Sequence, residues 1–274
     1  MMVHYFVWNG SPDLLSLGPI TIRWYGALFA CGFVIGLKIL NWIAKQEKLK
    51  VESFDSILMY VILGTIIGAR LGHTLIYEPE IYLADPIRIL KIWEGGLASH
   101  GGTLGVVIAV YLWKRKHFDG TMLQLLDALC IPAALISAMI RIGNFFNSEI
   151  VGHPTDVPWA IVFKRLDSLP RHPTMLYECI AYLITFFTVL FIFRKKIHRK
   201  YGQGFLLGIF FIMLFGFRFL IEFIKEYQVA SESQLPLDLG QLLSVPFIAT
   251  GIYLVFRSTS SSAKSLALAR EKKR

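Results

Sequence analysis

In the stretch RIGNFFNSE, residues 141–149, an arginine is followed at three, six and eight residues by Asn144, Asn147 and Glu149. The apolar run LCIPAALISAMI lies directly before it. A guanidinium is a planar fork of N–H donors that matches phosphate or carboxylate oxygens two at a time. A second arginine, Arg218, stands four residues before Glu222 in FRFLIEF. His100, in EGGLASHGGTLG, is the residue type that exchanges protons near neutral pH. Tyr25 in RWYGA, His172, Tyr177 and Glu178 in RHPTMLYE, and Gln241 in LGQLLS add hydrogen-bonding groups. All of them lie in or beside apolar sequence, so the chemistry depends on what positions them.

The chain has 274 residues, 55% of them hydrophobic and 17% charged. A soluble domain carries about 25% charged residues. The excess apolar content falls in runs of membrane length, which makes this an integral membrane protein. A formal net charge of +9 is accounted for by basic residues flanking membrane spans, and no nucleic-acid partner is expected. Cys31, Cys130 and Cys179 lie in apolar segments without metal-ligand spacing and read as buried small hydrophobes. No HExxH, GxSxG or carboxylate cluster is present, so neither metal nor cofactor is expected. The first twenty residues lack the basic stretch of a signal peptide.

A bilayer core of about 30 Å needs roughly 20 apolar helical residues. The pattern gives an all-α protein of about seven spans, near 21–43, 56–77, 98–113, 121–140, 174–193, 203–224 and 240–256. Residues 1–256 read as one membrane domain with an outer loop at 153–172, and 257–274 as a basic, mobile cytoplasmic tail. Alternate loops carry seventeen Lys and Arg on one side and six on the other. That asymmetry places the N-terminus outside and the C-terminus in the cytoplasm.

Five basic residues belong to neither set: Arg23, Lys38, Arg70, Arg141 and Arg218. Lys38 can snorkel to the inner surface. Given the direction of each span, the four arginines fall at the outer level, against the usual trend. An arginine at mid-membrane costs about 2.5–3.5 kcal/mol even on a lenient scale. Pairing within a helix, as for Arg218 and Glu222, is one way to offset it. The other is a shared anionic ligand, and His100, Tyr25, His172, Tyr177, Glu178 and Gln241 fall at the same level. Helix N-termini favour anions, and the glycines after His100 open the backbone to close approach. A phospholipid headgroup held near the outer surface fits these features best. The rival reading is an anionic-lipid flippase or transporter, for which Asp127 is the clearest polar group in the inner half.

RIGNFFNSEIVG resembles the signature of the bacterial prolipoprotein diacylglyceryl transferase family through Arg141, Gly143, Asn144, Asn147, Glu149 and Gly152. Further similar stretches are IRWYG, GARLG, KIWEGGLASHGG, RHPTMLYE, FRFLIEF and GQLLS, in family order along nearly the whole chain. Ile140 and His73 stand where that family usually has a small residue and an aromatic one.

The resemblance implies transfer of a diacylglyceryl group from phosphatidylglycerol to the lipobox cysteine of a prolipoprotein signal peptide. A thioether forms and glycerol phosphate leaves, in the outer leaflet of the bacterial cytoplasmic membrane. It implies His100 as the base or relay for the thiol proton. Arg141 and Arg218 would stabilise charge developing on the leaving phosphate. Phosphatidylglycerol binding is expected to involve these two with Tyr25, Arg70, Asn144 and Asn147. Glu149, Gly152 and Glu222 complete that expected set, Glu149 either orienting the headgroup or balancing charge. Supporting positions are Gly101, Gly102, Gly143, His172, Tyr177, Glu178 and Gln241. Gly143 and Gly152 read as backbone-shaping residues, and loop 153–172 as a segment that folds over the site.

Overall fold

A computed structural model of the chain describes residues 4–18, 20–49, 51–77, 79–91, 96, 98–226 and 237–271. It is predominantly helical: α1 (Trp24–Gln46), α2 (Ile57–Gly72), α3 (Pro79–Ala84), α4 (Ser99–His117), α5 (Met122–Asn147), α6 (Thr174–Arg194), α7 (Phe205–Glu222) and α8 (Leu239–Glu271). Six helices among the described residues are long and apolar enough to cross a membrane. The third expected span is α4, whose 19 residues reach about 28 Å at 1.5 Å per residue. It ends in Lys114, Arg115, Lys116 and His117 and falls outside that set of six.

Two expectations change. The segments expected on the outer side are not wholly helical: the chain carries β1 (Phe6–Trp8), β2 (Asp13–Leu17), β3 (Ile20–Arg23), β4 (Ile161–Phe163) and β5 (Pro170–Arg171). β1 runs parallel to β4, β4 antiparallel to β5, and β2 with β3 makes a hairpin turning at Gly18. Strands of two to five residues leave too short an alternation to register beside the helical runs. The polar C-terminal segment is also helical, since α8 runs on to Glu271; with no Gly or Pro after Tyr253, nothing in it stops a helix.

The chain divides into two compact units, residues 40–125 and residues 1–39 with 126–274. In the first, α2 and α4 pack through glycines spaced four apart: Gly64, Gly68 and Gly72 on α2, Gly101 and Gly105 on α4. A Cβ on Gly68 would overlap the Gly101 carbonyl, and one on Gly105 the Gly64 carbonyl. Small residues at this spacing let membrane helices approach at backbone distance. The loop after α2 is braced by Arg70, which is 3% exposed. Its guanidinium donates to the carbonyls of Ile89 (2.9 Å), Lys91 (3.2 Å), Gly96 (3.2 Å) and Arg88.

In the second unit, α1 meets α5 at Gly143, where a Cβ would lie 2.8 Å from Tyr25 Cδ2. α7 packs along α6 and α8. Asp127 accepts the backbone N–H groups of Gly204 (2.6 Å) and Leu207 (2.8 Å), capping the start of α7 from a neighbouring helix. The carboxylate expected in the inner half is thus a helix cap. β1, β4 and β5 enclose a small core of Val151, Ile161, Phe163 and Met175, onto which Trp8, Phe145 and Leu176 pack. The expected outer loop is therefore a folded cap joined to the N-terminal arm.

Candidate active site

Arg141 does not end its helix. α5 continues to Asn147, and Arg141 and Asn144, three apart on one face, are hydrogen-bonded there: Nη1 donates to Asn144 Oδ1 at 3.0 Å. The helix closes where Ser148 N–H bonds the Phe145 carbonyl and Glu149 N–H the Asn144 carbonyl. This is the left-handed C-terminal closure usually made by glycine. Here Ser148 (φ 56°) takes the left-handed position, and Ile150 (φ 59°) takes it again two residues on. A non-glycine residue there costs roughly 1–3 kcal/mol, and such strain gathers at functional sites. The second bend is held by Thr174, whose hydroxyl donates to the Ile150 carbonyl at 2.7 Å.

The bend turns Glu149 back onto its own helix. Its Oε1 accepts from Asn144 Nδ2 at 2.7 Å and Asn147 Nδ2 at 3.0 Å. Those donations fix both amide orientations and leave Asn147 Oδ1 buried, with no partner among the described residues. The hydroxyl of Tyr25 makes no hydrogen bond among the described residues and lies within electrostatic reach of Glu149 and Arg141.

On its other side Arg141 faces Glu178 of α6, which is fully buried. Nε and Oε2 lie 2.9 Å apart, yet the N–H is not aligned for a hydrogen bond, so the pair is coulombic rather than directed. The guanidinium carbon sits 5.8 Å from the centre of the Tyr182 ring, and the Tyr182 hydroxyl donates to Glu178 Oε1 at 3.3 Å. Lys225 completes the cluster, with Nζ 3.7 Å from Glu178 Oε1 and 3.1 Å from Glu222 Oε2. Glu222 therefore pairs with Lys225 and not with Arg218 as the helical spacing suggested. Arg218 is half-buried and within electrostatic reach of Tyr182. It has no carboxylate within ion-pair distance among the described residues.

The remaining expected positions divide in two. Gln241 ties α8 to α7, its Nε2 donating to the Phe219 carbonyl and its Oε1 accepting from Asp238 N–H. Gly152 has no room for a side chain, since a Cβ would lie 2.5 Å from the Ile224 carbonyl oxygen and 2.7 Å from the His172 Cβ. Its carbonyl accepts from Arg171, which also grips Asp167 at 2.7 Å and Glu226. The Arg171 hydrogen bond holds the Asp167 carboxyl below its usual range. Trp159 donates to the Tyr177 hydroxyl at 2.7 Å, and that hydroxyl lies 3.1 Å from His172 Nδ1. Burial pushes the His172 ring below its ordinary value, with His153 adding to the effect.

Arg70, Gly101 and Gly102 belong to the unit of residues 40–125. Arg70 braces a loop there, Gly101 packs on Gly68 and Gly72, and Gly102 faces Ala69. His100 is the second residue of α4, and its side chain lies outside the described residues. Arg23 stands exposed on the hairpin, 3.8 Å from Asp13. Of the four arginines expected at one level, Arg141 lies over the Tyr182 ring and Arg218 is within electrostatic reach of that side chain. Sequence reasoning missed Lys225, Tyr182, Thr174 and Trp159. Lys225 had a usable signal, since it stands three residues after Glu222.

The guanidinium fork of Arg141, Arg218 with no carboxylate at ion-pair distance among the described residues, and the buried Asn147 Oδ1 are groups of the kind that take an anion and a hydroxyl. Residues 12–257 match the family model described as prolipoprotein diacylglyceryl transferase. A phosphatidylglycerol–prolipoprotein diacylglyceryl transferase of Tolumonas auensis is 50% identical over 94% of this chain and 99% of its own. Proteins of the same name from Chloroherpeton thalassium and Porphyromonas gingivalis are 46% and 41% identical, each over 94% of this chain and 96% of their own. The chain belongs to the prolipoprotein diacylglyceryl transferase family.

Proposed function

We infer that this protein is a membrane transferase that moves the diacylglyceryl group of phosphatidylglycerol onto prolipoproteins. Relatives at up to 50% identity over nearly the whole chain carry that name, and the cluster around Arg141 supplies the matching chemistry. The observation that carries the reading is Arg141 over the Tyr182 ring and paired with Glu178, with Arg218 in electrostatic reach of the same tyrosine and without a carboxylate at ion-pair distance among the described residues.

The acceptor is the lipobox cysteine thiol. Its sulfur attacks the glycerol carbon that bears the phosphate ester, the carbon–oxygen bond breaks, and glycerol phosphate leaves with the electron pair. The thiol proton passes to His100 as base. A free thiol with pKa about 8.5 is a few per cent thiolate near neutral pH, a deficit of roughly 2 kcal/mol. Stabilising the leaving phosphate is the larger demand, and preorganised donors aimed at developing charge meet it. Arg218 and Arg141 fill that role. Asn147 Oδ1 accepts from a hydroxyl of the glycerol headgroup, which favours phosphatidylglycerol over a phospholipid whose headgroup lacks one. Tyr25 donates to the phosphate.

The chain crosses the bacterial cytoplasmic membrane seven times, α4 included, with its N-terminus outside. The site then opens to the outer leaflet, where lipid donor and exported signal peptide both arrive. The test mixes purified protein with phosphatidylglycerol and a lipobox peptide, without nucleotide or metal. A diacylglyceryl mass increase on the peptide cysteine is expected; lipid translocation with no peptide modification in any detergent would overturn the reading.

A further inference from the structure

We propose that Lys225 is a positioning residue of this site, keeping Arg218 free for the lipid phosphate by occupying the carboxylate Arg218 would otherwise take. The inference rests on the reading of Arg218 as a phosphate partner.

Arg218 and Glu222 stand four apart on α7, the spacing at which opposite charges on a helix pair. In a half-buried, membrane-spanning setting the incentive to pair is stronger than in water. The pair nevertheless does not form. Glu222, 6% exposed, gives its Oε2 to Lys225 at 3.1 Å. Gly240, whose Cβ would overlap this carboxylate, lets the chain close over it.

Lys225 is 2% exposed, very low for a lysine. A buried ammonium needs compensation, and two carboxylates provide it: Glu222, and Glu178 Oε1 at 3.7 Å. Glu178 then divides its oxygens between two cations, Oε2 to Arg141 and Oε1 to Lys225. The backbone fixes this arrangement. Lys225 bridges antiparallel to Gly152, with His153 N–H bonded to the Ile224 carbonyl and Glu226 N–H to the Val151 carbonyl. The ammonium is thereby attached to the segment that follows Glu149.

The charge count gives the consequence. Arg141, Arg218 and Lys225 face Glu178 and Glu222, leaving one positive charge to meet the single negative charge of a phosphodiester. Glu149 is exposed and held by two amides, outside this buried carboxylate pair. Without Lys225 the buried cluster is neutral, and Arg218 swings to Glu222.

The experiment compares Lys225→Met, Lys225→Arg and the double variant Lys225→Met/Glu222→Gln in the same purified assay. Lys225→Met should raise KM for phosphatidylglycerol about tenfold or more, with a smaller change in KM for the peptide. Lys225→Arg should lie close to wild type. Removing the competing carboxylate as well should return KM for the lipid to within about threefold of wild type. A double variant as impaired as Lys225→Met, or more so, overturns the proposal and makes Lys225 a packing residue only. The double variant carries this decision even where Lys225→Met is too unstable to purify, since it leaves no carboxylate without a cation. Inactive wild type would count against the transferase reading itself; active wild type without rescue counts against the role of Lys225 alone.

Discussion

Arg70 and Arg141 are both buried arginines late in apolar helices, one 3% and the other 9% exposed. Arg70 gives its donors to neutral backbone carbonyls spread over nine residues of loop. Arg141 meets an amide on its own helix and a carboxylate and a tyrosine hydroxyl on the next. The first arrangement commits the guanidinium to the fold, because four carbonyls of half-buried loop residues share its donors. The second balances the charge and, among the described residues, commits fewer donors to the fold. Charge alone therefore does not separate a brace from a ligand-binding group; the number of donors already committed does.

The largest expected effect tests that contrast directly. Arg141→Lys keeps the charge and loses the fork, so turnover should fall about 100-fold or more with thermal stability in detergent little changed. Arg70→Lys should do the reverse. Three ammonium protons cannot serve four carbonyls, so the brace on the loop loosens. Its thermal midpoint should drop while turnover per folded molecule survives. If Arg70→Lys proved fully stable yet inactive, Arg70 would belong with the lipid ligands and the comparison would break.

The same contrast shows what could be read beforehand. The helices announce themselves as apolar runs bounded by charge, and Arg141 and Asn144 follow from one quoted motif. Side-chain pairing is harder. Arg218 and Glu222 have the spacing of a pair, but Lys225 competes through contacts that also involve α6 and the segment at Gly152. A one-helix pattern contains none of that information. Arg70 was hidden for a similar reason, since its acceptors are carbonyls, which every sequence supplies equally. The expected span stops at residue 140, where polar residues begin, but the helix continues to Asn147, with Arg141 hydrogen-bonded to Asn144 on one face.

A smaller effect separates glycines that carry packing from those that do not. Gly105→Ala sets a methyl against the Gly64 backbone, and forced overpacking of this kind costs about 1–3 kcal/mol. Gly216 on α7 has open space where a Cβ would go. Gly216→Ala should be neutral or stabilise by up to about 1 kcal/mol through helix preference. Thermal midpoints of the two variants, measured side by side, check the pair. Ser148→Gly should stabilise by about 1 kcal/mol by removing left-handed strain. If it also lowers turnover, the strained turn is what holds Glu149 in register.

The smallest effects lie outside the membrane spans, where two groups give the cap its acid sensitivity in separate windows. The Tyr177 hydroxyl accepts from Trp159 Nε1 and lies 3.1 Å from His172 Nδ1. The folded value of His172 is lowered from the usual 6.5 by burial and by His153, so the unfolded chain binds a proton more readily. Stability is complete above pH 6.5 and declines as pH falls toward the folded value. Asp167, lowered from the usual 3.8 by Arg171, contributes stability that is complete above 3.8 and declines only as pH falls below it. Thermal midpoints in detergent should therefore fall in two steps on acidification. His172→Gln should remove the upper step and leave the lower one. Asp167→Asn should remove the lower step, at the cost of a lower midpoint at neutral pH, where Arg171 then keeps only Glu226 and the Gly152 carbonyl. A single step that survived both changes would mean that the cap is held by its apolar core and not by these contacts.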